Sequence, residues 1–143
     1  MKYLVLWLAL AATPAVAQIK VEEAWMRATP PGAKIAAGYM TIRNAGAADR
    51  LVNVSSPAAE RVETHITVRE GDILRMREVK GYDLPAGGTL VLKPGGSHLM
   101  FVNLKAPMKE RESVPATLRF QRAGEMKVEF QVRPLAGGEH HGH

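Results

Sequence analysis

The stretch VETHITVREGDILRMREV, Val62 to Val79, decides how this chain folds. Val62, Thr64, Ile66 and Val68 fall on one face of a period-two pattern, and Glu63, His65, Thr67 and Arg69 on the other. Gly71 interrupts the pattern before Ile73-Leu74-Arg75-Met76 resumes it, which is the signature of a β-hairpin. With Glu70-Gly71 at the loop centre, Arg69 pairs with Asp72 and His65 comes to lie opposite Met76. Directly opposed residues have Cβ atoms about 4.5–5.5 Å apart, close enough to grip one ion.

A second stretch, GGSHLMFVNL (Gly95 to Leu104), places His98 and Met100 two apart on a further strand, hence on one face. Outside the last four residues, His65 and His98 are the only histidines. The spacing thus predicts two close pairs, His65 with Met76 and His98 with Met100. Two soft, uncharged thioethers and two imidazoles suit Cu(I) far better than Ca²⁺ or Mg²⁺. Zinc more often recruits Cys or carboxylate. A blue-copper electron carrier requires a Cys thiolate, and the chain has no Cys. Methionine is also ordinary strand filler, so pattern alone leaves a metal site and a metal-free sandwich both open.

The run His65-x10-Met76-x21-His98-x-Met100 resembles, at every spacing, the motif of the periplasmic PCu(A)C copper chaperones. AWMRATPPGAKIAAGYMTIRN (Ala24 to Asn44) is similar to that family's N-terminal region, and the resemblance runs from about Val21 to Arg133. Family members often carry Met directly after the first His, where this chain has Ile66. The resemblance implies a cupredoxin-like Greek-key β-sandwich. It also implies Cu(I) held by His65, Met76, His98 and Met100, for delivery to the dinuclear copper centre of cytochrome c oxidase. A thiol-bearing assembly factor is the other acceptor it implies.

The rest of the chain agrees with an exported all-β domain. Lys2, the apolar run Tyr3 to Ala12 and the small residues Ala15-Val16-Ala17 read as a cleaved signal peptide over residues 1–17. That run is too short to span a membrane. With no Cys at the cleavage point, no lipid is attached there. Residues 18–133 are then one copper-binding domain, expected as a periplasmic monomer without stable membrane insertion. A net charge of +5 favours acidic protein surfaces or anionic headgroups, and no aromatic-interleaved basic patch supports nucleic-acid binding.

Strands are expected at Ile19 to Met26, Ala36 to Arg43, Leu51 to Val54, Thr89 to Leu92 and Ser97 to Leu104. A final hairpin joins Ala116 to Gln121 with Met126 to Arg133, and Gly81 to Pro85 reads as loop. Met40 reads as core, Trp25 as a core anchor, and Met108 as a loop residue near the site or exposed. Residues 134–143 form a His-rich tail whose His140, His141 and His143 offer a secondary Cu(II) site.

Three functions compete: a Cu(I) metallochaperone, a copper storage or resistance protein, and a metal-free structural sandwich. Enzyme chemistry is not expected. A histidine brace needs an N-terminal His where Gln18 is expected, and thiol–disulfide exchange needs Cys.

Overall fold

A computed structural model describes residues 18–134, and among these every regular element is a β-strand. In chain order they are β1 (Ile19–Arg27), β2 (Ile35–Asn44), β3 (Asp49–Ser55), β4 (Ala59–Glu70) and β5 (Ile73–Val79). Then come β6 (Tyr82–Leu84), β7 (Thr89–Leu92), β8 (His98–Leu104), β9 (Ser113–Phe120) and β10 (Gly124–Arg133). The expected signal peptide and the tail histidines lie outside the described residues.

The strands hydrogen-bond in the order β5-β4-β8-β2-β1-β10-β9-β3-β6, with β7 added to β2. β1 joins the two halves of this path. Its Ile19–Glu22 portion pairs with β2, the register shifts at a bulge before Trp25, and Trp25–Arg27 then also pairs in parallel with Gln131–Arg133. Glu23, at φ 49°, sits inside that bulge. The halves close on a core of Met26, Met40, Ile42, Leu51, Leu84, Leu99, Phe101, Leu118 and Phe130, all at most 1% exposed. Phe101 and Phe130 meet edge to face at 5.5 Å. This is the all-β sandwich expected from the alternating segments.

Four sequence expectations need correction. Tyr82–Leu84 is a strand, paired with Asp49–Leu51, and not loop. Three residues carry too little periodicity to be recognised without their partner. β9 starts at Ser113, not Ala116, because Pro115 lies past the end of the β3 ladder at Ser55↔Thr117 and its missing N–H costs nothing there. Trp25 is half-buried and lies outside the core, stacked on Tyr39 at 4.7 Å with the Arg133 guanidinium 4.5 Å from its ring centre. Met108 is buried in the core cluster, away from any exposed loop surface, as Met40 is.

A candidate copper-binding site on β4, β5 and β8

β4 pairs with β8 only from Ala59 to His65, where His65 stands directly opposite His98. Beyond that point Ile66–Glu70 pairs with β5 alone, so the β4–β5 hairpin continues as a two-stranded arm past the start of β8. The Thr67 hydroxyl donates to the Gly96 carbonyl at 3.1 Å and fastens the arm to the loop before β8.

The arm's register differs from the expected one. Glu70 pairs with Ile73, so the loop is Gly71-Asp72, and His65 faces Glu78 while Met76 faces Thr67. The cause is Gly71, whose φ of 63° fits the first central position of a two-residue hairpin turn, whereas Asp72 keeps negative φ. A two-residue slip keeps every side chain on its face. Met76 therefore stays on the same face as His65 but sits diagonal to it. The close cross-strand pair is His65 with His98, not His65 with Met76.

Four elements build the pocket. Met76 and Leu74 come from β5, His98 and Met100 from β8, Ala37 and Tyr39 from β2, and Thr67 from β4. With Gly95 they line an open, mostly apolar pocket of about 370 Å³. Met76 is 65% exposed, Met100 half-buried and His98 only 6% exposed. The His65 ring lies against that of His98, centroids 5.4 Å apart and tilted by 36°.

Hydrogen bonds set the state of both rings. His98 Nδ1 lies 3.0 Å from the Gly96 carbonyl, which only accepts, so Nδ1 carries the proton. His65 Nε2 lies 2.9 Å from a Glu63 carboxylate oxygen and donates to it. The remaining nitrogens, His65 Nδ1 and His98 Nε2, are buried and have no hydrogen-bond partner. A buried polar atom without a partner costs about 1–3 kcal/mol, and an unprotonated ring nitrogen in that position is a metal donor. Met76 and Met100 line the pocket with His98, and His65 lies against that ring, so the four offer soft and neutral donors of the kind that fit Cu(I).

Two residues supporting the site are not evident from the sequence. The Tyr82 hydroxyl lies 2.6 Å from the His65 carbonyl oxygen and 2.7 Å from that of His98, joining the two histidine strands. Burial pushes this phenol up to about 12. Glu63 carries His65 on one oxygen and Arg61 Nε on the other at 2.8 Å. Those two partners, Arg61 first, hold its carboxyl below the usual range. Period-two spacing of Arg61, Glu63 and His65 is the signal that could have found this row.

Residues 19–132 match the family model "Putative lipoprotein LpqE-like". The chain is 35% identical over 121 residues to "Putative lipoprotein Lxx21020" of Leifsonia xyli subsp. xyli, covering 83% of this chain and 72% of that protein. It is also similar to the copper-bound PCuAC domain from PmoF2, with a TM-score of 0.73 and 30% identity over 84% of this chain and 96% of that one. The Cu(I)-bound solution structure of DR1885 from Deinococcus radiodurans is similar at a TM-score of 0.67, with 31% identity over 86% of this chain and 83% of that one.

Proposed function

The chain belongs to the LpqE-like family of PCuAC domains, and from that premise we propose that it is an exported Cu(I) chaperone. One ion is held by His65, Met76, His98 and Met100 and passed to an acceptor protein. The observation that carries this reading is the pair of rings at 5.4 Å, each keeping one buried ring nitrogen free of hydrogen bonds, with His98 lining the same pocket as Met76 and Met100. Copper-bound relatives of the same fold support it.

Neutral thioethers and imidazoles suit a cargo that must be released, and the exposure of Met76 supports a transfer in which this residue meets the acceptor. The dinuclear copper centre of cytochrome c oxidase, or a thiol-bearing assembly factor for it, is the acceptor class we assign. Residues 1–17 act as the export signal to the periplasm. His140, His141 and His143 form a separate Cu(II) site in the tail. A storage or resistance role would use the same site without a transfer partner.

The test is anaerobic Cu(I) competition against a chromophoric chelator. One equivalent should bind, and Met76→Leu/Met100→Leu, which nearly conserves volume, should weaken binding while preserving the fold. Parent-like affinity in the double variant discards the ligand set.

A further inference from the structure

Arg61, Glu63 and His65 stand in a row on one face of β4, and the row ends at the ring that the Cu(I) reading makes a ligand. Glu63 also lies opposite Met100 in the β4–β8 ladder, so a carboxylate stands beside a thioether. Glu78 faces His65 from β5, and donor atoms of Glu63, His65 and Glu78 lie within 4.8 Å of one another. A carboxylate so placed has three possible uses: a hard ligand to the copper, part of a second cation site, or a brace for the ring.

Its hydrogen bonds decide among them. Oε1 of Glu63 is taken by His65 Nε2 at 2.9 Å, and Oε2 by Arg61 Nε at 2.8 Å. A cation on the trio would compete with both hydrogen bonds and lie against the charge of the Arg61 guanidinium. The two histidines also differ in how they are held. His98 gives its Nδ1 proton to a backbone carbonyl and frees Nε2, whereas His65 gives its Nε2 proton to a side chain and frees Nδ1. Backbone geometry secures the first choice, and Glu63 alone secures the second.

We propose that Glu63 is a positioning residue of the copper site, which holds His65 in the Nε2–H form so that Nδ1 is the donor atom. Arg61 keeps the carboxylate turned away from the metal. The proposal rests on the Cu(I) reading. A carboxylate hydrogen-bonded to a ligating imidazole fixes its tautomer and orientation and raises its basicity, and losing such a partner costs roughly 10- to 100-fold in metal affinity.

The test compares the parent with Glu63→Ala and Glu63→Gln, full-length, in two measurements. Side-chain ¹H–¹⁵N spectra of the metal-free proteins report the tautomer of each imidazole. Cu(I) competition against bathocuproine disulfonate reports affinity. In the parent, His65 should show protonated Nε2 and His98 protonated Nδ1. Glu63→Ala should release the His65 tautomer, leave His98 unchanged and lower Cu(I) affinity about 10- to 100-fold. The Gln amide oxygen still accepts a proton from Nε2, so Glu63→Gln should keep the tautomer and restore part of the affinity.

A structural role alone would move stability without moving the His65 signature. The proposal is overturned if Glu63→Ala keeps the parent tautomer, or loses it at parent affinity. Should Glu63→Ala not fold, Glu63→Gln decides: loss of the His65 Nε2–H form at parent Cu(I) affinity overturns the proposal. A parent that binds no Cu(I) sinks the chaperone reading instead, and the metal-free spectra tell the two failures apart.

Discussion

The rings of His65 and His98 lie 5.4 Å apart across the β4–β8 ladder, directly opposite in register. The proposed donor set is thus organised around a histidine pair, with Met76 and Met100 contributed from β5 and β8. Single His65→Ala and His98→Ala variants should each lose more Cu(I) affinity than Met76→Leu. The loss should exceed the roughly 100-fold that an outer-shell partner costs. Because the two residues share one ion, the double variant should fall well short of the summed losses. Chelator competition on the four variants checks this. Additive losses would mean that the rings do not act on a common ion.

Met76 differs from the other methionines of the described residues in exposure. It is 65% exposed on a two-stranded arm, while Met26, Met40 and Met108 are at most 4% exposed. Oxidation to the sulfoxide follows access. Mild peroxide should therefore convert Met76 before those three, as peptide mass spectrometry would show. Loading with Ag(I), a soft ion that peroxide does not oxidise, should slow the conversion of Met76. Equal rates with and without Ag(I) would argue against sulfur ligation at this residue.

Most of the fold was legible in the chain because alternation at period two marks half-buried strands whatever their partners. The arm's face was legible for the same reason: His65 and Met76 share one side of the β4–β5 hairpin, and His98 and Met100 share one side of β8. Register was harder. Reading Glu70-Gly71 as the loop centre moved the ladder by two residues, while Gly71 at φ 63° sets the turn one residue further on. Tyr82 could not be assigned to the site from sequence, since its hydroxyl reaches His98 only through the β3–β6 pairing.

Close packing behind the site makes Gly38 a sensitive position. A Cβ there would lie 2.7 Å from the Phe101 ring, which itself rests on Phe130. Phe101 neighbours Met100 in β8, and both rings are fully buried, so neither has room to retreat. Gly38→Ala should cost about 1–3 kcal/mol as an overpacked core. A denaturant midpoint lowered with an unchanged slope would report this as lost stability. A midpoint at or above the parent's would show that the ring yields freely.

Tyr82 ties the site to alkaline stability. Its phenol is raised from the ordinary value near 10 to about 12 by burial. A raised folded value means that the protonated phenol is the form the fold prefers. The stabilisation is therefore complete below about pH 10 and is lost as pH rises from there to about 12. Tyr39, also raised by burial, contributes in the same direction. Tyr82→Phe removes both the titration and the hydroxyl. It should lower stability at neutral pH by about 1–3 kcal/mol, since two buried carbonyls lose their shared donor. It should also flatten the fall in melting temperature between about pH 10 and pH 12. Cu(I) affinity should drop as well, because the two histidine strands are no longer joined at the site. Thermal melts across that pH range, with Tyr39→Phe as the control, separate the two phenols. A Tyr82→Phe melting profile parallel to the parent's would show that this hydroxyl does not carry the alkaline transition.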